Sequence, residues 1–82
     1  MRHDREDTAA QETALRRARE EAASVLAELA AEAKALSRAY AGRSARTPDG
    51  SALAGLVDAA RRAEEAVDMA AHDLATARGE DA

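Results

Sequence analysis

This sequence predicts an all-α fold, an antiparallel hairpin of two helices, on three observations. Of its 82 residues, 25 are Ala, with Arg, Glu and Leu prominent among the rest, and all four are strong helix formers. Apolar residues recur at steps of three and four over two long segments, the spacing of one face of a helix. Between those segments lies the stretch Tyr40-Ala41-Gly42-Arg43-Ser44-Ala45-Arg46-Thr47-Pro48-Asp49-Gly50-Ser51, which contains the single Pro and two of the four Gly residues. A corner there folds the chain back on itself.

Residues 1–7 are nearly all charged or titratable and offer nothing to bury, so they read as a disordered tail. Thr8 then suits a helix N-cap, and Gln11 three residues on completes a capping box. The first helix is expected over 8–41. Its apolar stripe is Leu15, Ala18, Ala22, Val25 with Leu26, Leu29, Ala33, Leu36 and Tyr40. Glu12 with Arg16, Arg16 with Glu20 and Arg17 with Glu21 form i,i+4 pairs that favour the helix. A strict heptad continued from Leu29 would place Glu32 in the seam; the stripe instead shifts to Ala33. That gives a mean step nearer 3.6 than 3.5 and predicts a nearly straight bundle rather than a supercoil.

Gly42 suits a left-handed helix cap, and the turn is expected over 42–50. Thr47-Pro48, Asp49 and Ser51 are alternative starts for the second helix, expected over 51–78. Its stripe is regular: Leu53, Leu56, Ala60, Ala63, Val67, Ala70, Leu74, Ala77, flanked by Ala52, Ala59 and Ala66 on one side and Val57 and Ala71 on the other. A face that wide can touch two neighbours, as in a four-helix bundle. Arg78 and Gly79 close the helix, with a frayed C-terminus at 79–82.

Composition excludes several classes of function. Sixteen acids against 12 bases give a net charge of -4, and one aromatic residue leaves no stacking platform, so no nucleic-acid partner is expected. The absence of Cys removes disulfides, thiolate catalysis and cysteine-ligated zinc. No uncharged run approaches the length of a membrane span, and the charged amino terminus lacks the apolar core of a signal peptide. The expected location is cytoplasmic, with any export requiring a route independent of a signal peptide.

Three clusters could carry chemistry. Glu65, Asp68 and His72 share one helical face at metal-ligand spacing, but the first helix offers no histidine opposite them and the face lies away from the seam. Arg38, Arg43 and Arg46 gather at the corner, with Arg61 and Arg62 beyond, and would suit an anion, although Arg61 and Arg62 have Glu65 and Asp58 as local partners. Ser24, Ser37, Ser44 and Ser51 have no neighbouring base to activate them. The expectation is therefore a protein with no catalytic residues, no metal site, no cofactor and no small-molecule substrate, not an enzyme.

Tyr40-Ala41-Gly42 is an aromatic-x-Gly triplet between two helices of an Ala-rich acidic chain. This resembles the WXG family of small helical-hairpin proteins exported by type VII secretion, whose Trp-x-Gly triplet occupies that corner. Tyr here stands in place of Trp, and no Tyr follows the second helix to supply the family's Tyr-x-x-x-Asp/Glu export signal. The resemblance implies a four-helix homodimer or heterodimer.

With seven Leu, three Val, two Met and one Tyr as its only large apolar residues, the hairpin holds too little to bury for a lone small domain. The expected function is a non-catalytic interaction module that pairs with itself or a helical protein partner. Its interface would draw on Leu15, Ala22, Leu26, Leu29, Leu36, Tyr40, Leu53, Leu56, Val57, Ala63, Val67, Ala70 and Leu74. An accessory subunit of a larger assembly and a small regulator such as an antitoxin are the alternatives.

Overall fold

In a computed structural model, the backbone is described for residues 2–42 and 49–79, and side chains from Thr8 onward. The described residues form two helices: α1, Arg2–Ala41, and α2, Ser51–Ala77. They lie antiparallel in a rod of 66 × 18 × 14 Å, one helix pair thick. The radius of gyration is 18.6 Å, where a compact domain of this length would have about 12 Å. The rod has a turn end and an open end, and its core lies along the line between the helices.

The first helix starts earlier than its sequence suggests. Residues 2–7 continue α1 rather than forming a tail, and Thr8 sits inside the helix instead of capping it. Adding a residue to a helix costs far less than nucleating one, and a sequence with acids at positions 4, 6 and 7 suits the positive pole of the helix dipole. At the other end of α1, Gly42 is not left-handed. Its N–H donates to the Arg38 carbonyl at 2.9 Å, continuing the α pattern. The left-handed glycine is Gly79, at φ 75°, whose N–H donates to the Thr76 carbonyl at 3.0 Å while that of Arg78 donates to Leu74 at 3.0 Å. Those bonds satisfy carbonyls that the end of α2 leaves open.

Of the three possible starts for α2, the chain uses Ser51. The Ser51 backbone N–H donates to Asp49 Oδ1 at 2.9 Å, and Ala54 N–H reaches the Gly50 carbonyl at 3.1 Å. Asp49 thereby turns the backbone into the helix through an Asx turn. Thr47 and Pro48 lie outside the described residues, as do Arg43, Arg46 and residues 80–82 of the frayed end expected over 79–82.

The seam corrects the expected stripe on α1. The covered track runs Gln11, Leu15, Ala18, Ala22, Val25, Leu29, Glu32, Leu36 and Ala39, and every other residue from Ala14 to Tyr40 is exposed. Its steps alternate four and three without a break, so the repeat is a strict heptad with a mean step of 3.5, the pattern of a left-handed supercoil. Leu26, Ala33 and Tyr40, expected in the stripe, stand outside it; Glu32 and Ala39 take the places of the last two. Glutamate is tolerated because its methylene stem can lie against the neighbouring helix while the carboxylate reaches water. On α2 the expected stripe holds throughout, from Leu53 to Ala77.

The core is thin. Among the described residues only Ala22, Ala60, Ala63 and Leu74 are buried, at 7 to 8% exposure, and no side chain falls below 2%. Three of the four are alanines, which let the helix backbones approach closely but remove little apolar surface from water.

Candidate interaction surface

Ten of the 13 expected interface residues lie in the seam within the chain: Leu15, Ala22, Leu29, Leu36, Leu53, Leu56, Ala63, Val67, Ala70 and Leu74. The other three, Leu26, Val57 and Tyr40, are exposed at 42%, 36% and 67%. Tyr40 therefore lies outside the core; Ala39 takes the last position of the seam.

The three exposed residues share an edge of the rod. At the open end, Arg78 Nη2 donates to Glu12 Oε1 at 3.2 Å across the two helices. The i,i+4 spacing of Glu12 and Arg16 favours a pair within α1, yet Glu12 reaches across to α2. In a heptad hairpin, residues separated by multiples of seven keep the same side of the seam. Leu26, Ala33 and Tyr40 follow Glu12 by two, three and four heptads, and Val57 precedes Arg78 by three. One edge thus begins with an ion pair at the open end and becomes apolar toward the turn. Met69, 68% exposed, projects from α2 off this edge.

Sequence reasoning missed the organisation of this edge. Ala23, Leu26, Ala30, Ala33, Ser37 and Tyr40 are all exposed and alternate three and four. They form a second heptad stripe on α1, beside the one packed on α2. A single stripe on α1 draws Leu26, Ala33 and Tyr40 into the first track, which produces the apparent step of 3.6. Writing out both tracks separately is the signal that separates them.

At the open end, a shallow groove of about 520 Å³ has Leu15, Ala23 and Leu74 as apolar walls and Arg16, Arg19 and Glu20 on its rim, beside the Glu12–Arg78 pair. Its charges are of both signs and it contains no nucleophile with a neighbouring base. The face bearing Glu65, Asp68 and His72 is exposed, and among the described residues no group of three acids or histidines is close enough to hold a metal ion. Arg38, Arg61 and Arg62 are exposed as well. No described helix is long and apolar enough to cross a membrane. Near the turn, the Ser51 backbone N–H, and secondarily its hydroxyl, hold the Asp49 carboxyl below the usual aspartate range.

Comparison with known protein families, with curated proteins and with solved structures found no match to this chain.

Proposed function

We propose that this protein is a non-catalytic interaction module, a helical hairpin that docks another helical surface to complete a four-helix bundle. One observation carries the reading: a second apolar heptad stripe is exposed on α1 beside a core whose only buried side chain larger than alanine, among the described residues, is Leu74. A helix with two such stripes is built to touch two neighbours, and α2 supplies only one. The partner is a second copy or another helical protein, and the surface needs no cofactor or substrate to act.

Sedimentation velocity on the purified chain, paired with circular dichroism, tests this. Expected is either a dimer or a weakly folded monomer that gains helix when its partner is added. A fully folded monomer at micromolar concentration contradicts it. Within this reading we propose a type VII secretion-like substrate or partner, on the Tyr40-Ala41-Gly42 triplet at the end of α1. Co-purification with a secretion ATPase from the native cell tests that narrower assignment.

A further inference from the structure

We infer that the occupant of the second stripe is another copy of this chain, laid antiparallel on α1 about a two-fold axis passing between Ala30 and Ala33. The inference rests on the docking function proposed above and adds the partner, the face and the register.

Exposed area is of the size that a homodimer covers. A compact folded monomer of this mass exposes about 4,700 Å², whereas this chain exposes 6468 Å². The excess is about 1,800 Å² per copy, within the roughly 1,000 to 2,500 Å² that each subunit of an obligate homodimer buries. A contact with a short peptide would leave most of that excess in water.

Shape points the same way. With the stripe antiparallel to itself, Ala23 faces Tyr40 of the second copy, Leu26 faces Ser37, and Ala30 faces Ala33. Each large side chain meets a small one, and the layers nearest the axis are Ala on Ala, which allows close approach of the two α1 helices. A two-fold interface has to be complementary to itself, and this stripe is.

Charge agrees with that register. The two acids of α1 between Ala23 and Tyr40 are Glu28 and Glu32, and neither lies on the stripe. Lys34, beside the stripe, falls over Ala27 of the other copy rather than over a like charge. Toward the open end the stripe continues as Arg19 and Arg16, where the apolar run and the overlap both stop.

The chain has one aromatic residue, so tyrosine fluorescence reports on this face alone. Sedimentation equilibrium combined with acrylamide quenching of Tyr40 tests the inference on the full chain. Expected is a dimer in which Tyr40 is shielded, with Ala30→Glu raising the dissociation constant at least tenfold. Ala31→Glu, exposed on the same helix but off the stripe, should leave it within twofold. Mixing Ala30→Glu chains with Ala33→Lys chains should restore association at least tenfold over either alone, because the introduced carboxylate meets the introduced ammonium only in this antiparallel register. That readout does not depend on how well either variant folds by itself. A dimer that ignores Ala30→Glu and leaves Tyr40 open to quencher overturns the face while the docking function stands. A chain that stays monomeric and weakly folded at every concentration overturns the second copy as occupant and leaves a different helical partner. A fully folded monomer overturns both.

Discussion

Glu12 and Arg78, 66 residues apart in the chain, meet at 3.2 Å across the open end of the hairpin. The contact marks the alignment of the helices. Counted inward from it in heptads, the same edge passes Leu26 and reaches Ala33, Val57 and Tyr40, so an exposed ion pair and the proposed docking stripe belong to one geometric feature.

As a source of stability that pair is minor. Its side chains are 44% and 53% exposed, and solvent-exposed pairs contribute about 0 to 1 kcal/mol, less in salt. Glu12→Gln should lower the unfolding free energy by less than about 0.5 kcal/mol in urea titration. A loss several times larger would show that the open end contributes more than its exposure implies.

Glu32 is the charged member of the seam. Replacing it with Leu exchanges a half-buried charged residue for one that can bury its whole side chain. Glu32→Leu should raise stability by about 1 kcal/mol, part of the value of a fully buried leucine. Chemical denaturation with an unchanged denaturant slope checks it; a destabilised variant would mean the carboxylate is needed for register.

The contrast between α1 and α2 shows what was legible in the sequence. All eight stripe positions of α2, from Leu53 to Ala77, follow from spacing because the track is uninterrupted and wholly apolar. On α1 the same rule misleads at Glu32, since a count of apolar residues rejects a position that an amphipathic stem can fill. Alanine compounds the problem: Ala33 and Ala39 are alike in hydropathy, and only the alignment with α2 decides which is covered. The early start of α1 is hidden for a different reason. A run such as Asp4-Arg5-Glu6-Asp7 has the composition of a solvated tail and is also acceptable as the polar first turns of a long helix. The corner is evident from Pro48 and its glycines, whereas the start at Ser51 depends on the Asp49 side chain.

Leu74 is the largest buried side chain among the described residues, 7% exposed. Leu74→Ala should cost about 2 to 3 kcal/mol, the lower part of the range for a core leucine because the groove beside it already admits water. Thermal melting at fixed concentration measures the loss. A change under about 0.5 kcal/mol would place the main stabilisation elsewhere.

Asp49 gives the turn a pH dependence with a defined sign. Its folded-state carboxyl titrates below its unfolded value, chiefly through the Ser51 backbone N–H. The stabilisation is therefore present above the unfolded pKa and lost as pH falls through the folded one. Carbon-13 titration should place the Asp49 midpoint below that of an unstructured aspartate. Asp49→Asn keeps an acceptor and should remove this site's share of the acid sensitivity, while Asp49→Ala should fray the start of α2 at neutral pH. An Asp49 midpoint at or above the unstructured value would contradict the turn geometry.

Under the proposed function, the hairpin has too thin a core to stand alone and holds its fold by docking. The most direct measurement is the thermal midpoint of helix unfolding for the full chain over a hundredfold range of concentration. A midpoint that climbs steadily with concentration, with Ala30→Glu flattening the climb, is the predicted result. A sharp, cooperative transition at one temperature across the whole range would contradict it.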